Sequence, residues 1–340
     1  MDKQRITELK IIAANVRKDA LTAVHAAASG HPGGSLSIAD VLTLLYFEVM
    51  NINPENPKDP DRDRFVLSKG HCAPALYGVL AERGYFPRED MATFRKTGSY
   101  LQGHPDMKSV PGVDMSSGSL GQGVCAANGM ALAGKIDSKF YRVYTILGDG
   151  ELEEGQVWEA AMYAPHYKLD NLTAFVDFNG LQIDGDIAKV MSPLPIDEKF
   201  AAFGWHVIVC DAHDFEAMLS AVNEAKATKG KPTVIILKST KGKGVSFMEN
   251  NAAWHGAAPN DEQFQQAMEE LDAELDRLKK EAESGEKLQQ EKLMDRLWPS
   301  SVKNMILWCW MQIYRNPPKQ TRLKRSFPTA FLTQGLRRQT

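Results

Sequence analysis

The sequence predicts an α/β fold in which helices flank a doubly wound, mainly parallel sheet. Three observations carry this. Four short runs, Arg142–Leu147, Leu172–Asp177, His206–Cys210 and Thr233–Leu237, are nearly all apolar and rich in β-branched residues, as strands covered on both faces are. Helix-like segments at 154–165 and 214–228 lie between them, so strand and helix alternate. Apolar residues make up 43% of the 340 and charged residues 24%. That is an ordinary globular balance, which excludes a disordered chain, a collagen and a coiled-coil rod.

The remaining elements follow in order. Residues 4–28 are helical in pattern and stop at Ser29-Gly30-His31-Pro32-Gly33-Gly34, because Gly and then Pro end a helix. A second helix is expected from Ser37 to Val49, then a polar, proline-punctuated loop over 51–64. Segments 73–83 and 121–134 are helical again, each after a glycine-containing turn. From Asp261 to Lys292, Phe264, Met268, Leu271, Leu275 and Leu278 recur at helical spacing, predicting a charged amphipathic helix on the domain surface that Gly285 interrupts.

Charge divides the chain. Residues 293–340 hold nine of the 40 basic residues, one of the 43 acidic ones and three of the six tryptophans. We therefore expect a domain over 1–285 and a basic tail over 286–340. The formal net charge of −3 argues against a general nucleic-acid binder. No apolar run reaches about 18 residues, so no membrane span is expected, and Met1–Arg5 lacks signal-peptide character. Cys72, Cys125, Cys210 and Cys309 form no CxxC pair, which fits a reducing compartment, the cytoplasm, and gives no zinc framework.

Chemistry is expected first at Ile146-Leu147-Gly148-Asp149-Gly150-Glu151, at the end of a predicted strand. Taken alone, Gly-Asp-Gly is more often a plain turn. Thirty residues after Asp149, the next strand ends in Val176-Asp177-Phe178-Asn179-Gly180. If the strands are neighbours, Asp149, Asn179 and a backbone carbonyl, with Leu181 the expected donor, leave octahedral positions open for diphosphate oxygens and water, as Mg²⁺ prefers. A helix predicted just after Gly150 would aim its N-terminus at the same anion. Lys238-Ser239-Thr240-Lys241-Gly242-Lys243-Gly244 does not match P-loop spacing and is equally a flexible connector.

The Gly-Asp-Gly…Asn spacing resembles the thiamine-diphosphate-binding motif, and five further segments resemble the transketolase family within that class. They are Ser29-Gly30-His31-Pro32-Gly33, Leu67-Ser68-Lys69-Gly70-His71, Gly103-His104-Pro105, Ser116-Ser117-Gly118-Ser119-Leu120-Gly121-Gln122-Gly123 and Trp254-His255-Gly256. They occur in the family's order over residues 5 to about 280 and resemble its N-terminal, diphosphate-binding half. The resemblance implies a thiamine-diphosphate-binding fold, with Asp149, Asn179 and the Leu181 carbonyl holding Mg²⁺ or another divalent cation such as Ca²⁺. It implies that Gly150, His71 and His255 contact the diphosphate, and that Gly118, Ser119 and Leu120 run past the thiazolium. His31, His104 and His255 would face the sugar substrate, and Glu154 would couple the two active sites of a dimer. It further implies two-carbon ketol transfer between ketose and aldose phosphates, within the pentose phosphate pathway. The thiazolium is the electron sink, and imidazoles that donate and accept near neutral pH surround it.

The family's second domain, whose glutamate activates the cofactor, has no counterpart in residues 1–292. A C-terminal partner subunit is therefore expected, in a dimer of heterodimers. The tail bears on that partner. Met305-Ile306 and Trp308-Cys309-Trp310-Met311-Gln312 are encoded by few codons. Started at each third base, the codons from Trp308 to Gln312 must spell Val-Leu-Asp-Ala, which resembles the start of the missing half. Residues from about 295 onward are thus expected to be an out-of-frame reading, poorly ordered. For the tail the alternative is a genuine basic segment; for the function the alternatives are a 1-deoxyxylulose-5-phosphate synthase-like enzyme and, because the second domain is missing, a catalytically silent binding protein.

Overall fold

The computed structural model of the chain describes residues 1–297. Its elements are α1 (Lys3–Ala26), α2 (Pro32–Ser37), α3 (Ala39–Leu44), β1 (Arg64–Leu67), α4 (Ala73–Arg83), α5 (Gln122–Ile136), β2 (Val143–Gly148), α6 (Gly155–His166), β3 (Leu172–Phe178), β4 (Leu181–Gln182), β5 (Gly185–Asp186), α7 (Ile187–Val190), α8 (Ile196–Ala202), β6 (His206–Asp211), α9 (Phe215–Ala227), β7 (Thr233–Lys238) and α10 (Asp261–Leu297). The chain divides into two units, Met1–Glu283 and Ser284–Thr340. The expected out-of-frame stretch lies almost wholly outside the described residues. Among those described, no helix is long and apolar enough to cross a membrane.

One five-stranded sheet, in the order β1-β2-β3-β7-β6, is parallel throughout. Successive side chains of a strand point to opposite faces, and each face here meets its own core. Tyr144, Ile146, Phe175, Ile235 and Leu237 pack with Leu9, Leu42, Leu76 and Val222, residues of α1, α3, α4 and α9. Val143, Leu147, Val176, Val234 and Ile236 pack with Val124, Ala127, Val157 and Ala161 of α5 and α6. Burial on both sides is why these strands are nearly all apolar.

The structure departs from expectation in five places, the first being β6, which is an edge strand with Val209 45% exposed and so is not covered on both faces. Arg64–Leu67 is a strand, β1, rather than loop end and motif start; its four residues pair Arg64 with Val143 through Leu67 with Ile146. The segment expected as one helix from Ser37 begins at Pro32, breaks at Ile38 and closes in a π turn over Leu45–Val49. Pro32 starts a helix here, since a missing N–H costs nothing in a first turn. The turn after Asp149 is a single 3₁₀ turn, Gly150–Glu153, and α6 begins only at Gly155. Finally, α10 continues through Gly285. Its start is a capping box, in which Asn260 Oδ1 accepts Gln263 N–H at 2.8 Å and Gln263 Oε1 accepts Asn260 N–H at 3.0 Å. Its apolar stripe is buried, Ala267 and Leu271 packing with Leu21, Leu36, Val245 and Met248.

Candidate active site

The C-terminal tips of four neighbouring strands open on one cleft, where ligands bind in such sheets. In the register Gly148 stands opposite Asp177, and Asp149 N–H donates to the Asp177 carbonyl at 3.3 Å. That pairing carries Asp149 and Asn179 to one place. They line a cavity of about 330 Å³ together with Leu181, Gly150, Gly118, Leu120, His31, His71 and His255.

Three imidazoles face one another across the cleft. Ring centroids lie 5.1 Å apart for His31 and His71, 5.5 Å for His31 and His255, and 5.3 Å for His71 and His255. All three resist protonation. Burial, then Arg95, pushes His31 down to about 4; burial, then Lys241, pushes His255 down to about 3; burial and Lys69 hold His71 well below the usual range. His104 is exposed and outside this trio, but its ring is against Gly118. A Cβ added there would lie 3.0 Å from ring carbons, and the backbone φ of +152° is one that side chains rarely adopt.

Besides His104, two expected residues do not line the cavity. Ser119 is exposed and accepts from Gln122 Nε2 at 3.2 Å. Glu154 is the exposed residue preceding α6. Sequence reasoning gave no role to the charges beneath the cleft. Lys69, 2% exposed, donates to Asp177, 1% exposed, at 2.6 Å. Buried Glu151 accepts from Gly121 N–H at 2.8 Å and Gly148 N–H at 3.0 Å, and from Ser68 Oγ. The segment 238–244, read from the sequence as equally a connector, delivers Lys241, which is buried and donates to the Leu181 carbonyl at 2.8 Å beside His255 Nδ1 at 2.9 Å. Lys69 and Asp177 both lie inside the motifs that sequence spacing singles out; their pairing was not visible because they are 108 residues apart.

The residues fit a hard cation with a diphosphate. Asp149 is pushed up to about 7 by burial and by the Asp177 carboxylate, which Gly180 N–H, Gly150 N–H and Lys241 only partly offset, so a further cation would favour its charged form. Lys241 already places an ammonium on the Leu181 carbonyl. His31 Nδ1 is buried without a hydrogen-bond partner. The donors are all oxygens, a set suited to Mg²⁺ or Ca²⁺. Among the described residues no cluster of three or more His, Cys, Asp or Glu could hold a metal ion, so the oxygens would include an amide and a backbone carbonyl.

The family model for the thiamine-diphosphate-binding domain of transketolase matches residues 8–294. The 6-deoxy-6-sulfo-D-fructose transketolase subunit SqwG of Clostridium sp. (strain MSTE9) is 48% identical over 274 residues, 81% of this chain and 99% of that one. A subunit of the apulose-4-phosphate transketolase of Phocaeicola vulgatus is 42% identical over 277 residues, 82% of this chain and 98% of that one. The crystal structure of transketolase from Campylobacter jejuni superposes with a TM-score of 0.74 at 32% identity, covering 93% of this chain and 51% of that chain.

Fold and family model define a thiamine-diphosphate-binding domain of a transferase. The chain belongs to the transketolase family, as its N-terminal half.

Proposed function

We propose that this chain is the diphosphate-binding subunit of a two-subunit transketolase, moving a two-carbon ketol unit between ketose and aldose phosphates in the cytoplasm. Relatives matched over nearly their whole length are named as transketolase subunits, which supports a C-terminal partner; we further propose a dimer of heterodimers, with exposed Glu154 acting at the contact between sites. The observation that carries the reading is the meeting of Asp149, Asn179 and Leu181 with three histidines in one cleft.

Asp149, Asn179 and the Leu181 carbonyl would hold Mg²⁺, and Gly150 and His71 would approach the diphosphate. When bound, the thiazolium supplies the electron sink for breaking and making a C–C bond beside a carbonyl. This chain supplies position and proton traffic. Asp149, pushed up to about 7 by burial and the Asp177 carboxylate, would hold the cation in its ionised form. His31 and His255, held neutral by burial and nearby cations, can each donate or accept a hydrogen bond with substrate hydroxyls, and His104 would join them at the rim.

The test is reconstitution. The full chain, mixed with a C-terminal transketolase subunit, thiamine diphosphate and Mg²⁺, should transfer a ketol unit from xylulose 5-phosphate to ribose 5-phosphate. Formation of deoxyxylulose phosphate from pyruvate would favour the synthase instead, and no transfer with a folded partner would favour a silent binding protein. Asp149→Ala should abolish Mg²⁺-dependent cofactor binding with the fold intact; unchanged affinity by calorimetry would remove the metal assignment.

A further inference from the structure

We propose that Asp177 is a positioning residue, which orients the Asn179 amide so that its oxygen rather than its nitrogen faces the cation site. The proposal rests on the metal assignment above. A primary amide is nearly symmetrical in shape, so sterics alone leave two orientations of similar fit, and only one presents an acceptor. Asn179 Nδ2 donates to Asp177 Oδ2 at 3.0 Å, while Asn179 Oδ1 accepts Leu181 N–H at 3.1 Å. An ionised carboxylate only accepts. The nitrogen is therefore drawn to Asp177, and the oxygen keeps a lone pair for a cation.

Asp177 is itself held from several sides. Its Oδ2 also accepts from Ser37 Oγ at 2.7 Å and Lys69 Nζ at 2.6 Å, and its Oδ1 accepts from Ser239 Oγ. Lys69 is anchored in turn on the Gly34 carbonyl at 3.0 Å. These donors come from α2, from the segment after β1 and from the segment after β7. The orientation of one metal ligand at the tip of β3 is thus set by contacts between distant parts of the chain. Removing a residue that orients a ligand typically weakens metal binding about 10- to 100-fold.

Two substitutions separate orientation from charge balance. Asp177→Asn and Asp177→Leu both remove the negative charge opposite Lys69, but only Asp177→Asn keeps an acceptor oxygen for Asn179. Mn²⁺ affinity is measured in the full chain with thiamine diphosphate, by electron paramagnetic resonance, alongside thermal unfolding. Both variants should unfold at lower temperature. Asp177→Leu should bind Mn²⁺ about 10- to 100-fold more weakly, and Asp177→Asn should stay close to the unaltered chain. Equal losses in both, or none in either, would overturn the proposal. Should Asp177→Leu not fold, the unaltered metal-free chain gives a second readout: the Asn179 side-chain amide protons should be protected from hydrogen exchange, and rapid exchange would overturn the proposal. No Mn²⁺ uptake by the unaltered chain would instead remove the metal assignment, and this inference with it.

Discussion

His213 Nε2 accepts the backbone N–H of Thr240 at 3.0 Å. On its other side the ring's Nδ1 lies 2.6 Å from Asp40 Oδ2, the oxygen that also takes Arg17 at 2.6 Å. Since Nε2 accepts, the ring proton belongs on Nδ1. Burial raises the Asp40 carboxyl, but Arg17 and His213 outweigh it and hold the group well below the usual range. The ring therefore ties α1 and α3 to the segment that carries Lys241 into the cleft.

His213→Phe keeps a ring and removes the acceptor. The half-buried Thr240 N–H is then unpaired, at about 1–3 kcal/mol, and Lys241 loses a support of its backbone. Urea unfolding should show the loss of stability, and calorimetry a weaker affinity for thiamine diphosphate in the assembled enzyme. Unchanged values in both would refute the link.

The cleft histidines set a pH dependence. An unfolded histidine titrates near about 6.5, whereas burial and nearby cations bring His31 down to about 4 and His255 to about 3. Folded pKa values below unfolded ones make their contribution to stability complete above 6.5. It is lost as pH falls from there through the folded values. Nuclear magnetic resonance of the metal-free chain should show both rings neutral from pH 8 to pH 5. A midpoint for His31 near the unfolded value would contradict this environment.

Gly123 is where α5 presses on the segment bearing Lys69 and His71. A Cβ there would lie 2.5 Å from Ser68 Cα, so Gly123→Ala should cost about 1–3 kcal/mol by forcing the backbones apart. Gly129, in the same helix, is exposed and has nothing within 4 Å of an added Cβ. Gly129→Ala should raise the melting temperature of the isolated chain, through a gain of up to about 1 kcal/mol in helix propensity. Thermal unfolding of the two variants should move in opposite directions.

Leu271 anchors the stripe of α10 and is 1% exposed. Leu271→Ala should destabilise the domain by about 2–5 kcal/mol, read in urea. A change within error would mean that α10 does not cover this core.

The strands β2, β3 and β7 were legible because burial on both faces demands continuous apolar residues, a pattern local in the chain; β6 was legible from its apolar run although it is an edge strand with Val209 45% exposed. Asp149 and Asn179 were legible because they sit in glycine-flanked motifs at predicted strand ends, whereas His31, His71 and His255 were legible only through the resemblance of their motifs to the family. Strand β1 was not: four residues starting with an arginine carry no period, and only pairing with β2 makes them a strand. Nor was the division of labour among the buried charges. Lys69 meets Asp177, and His213 meets Asp40, across 108 and 173 residues. Parallel strands joined through helices bring distant segments side by side, so which charges become partners is decided by strand order and register, which no stretch of sequence contains on its own.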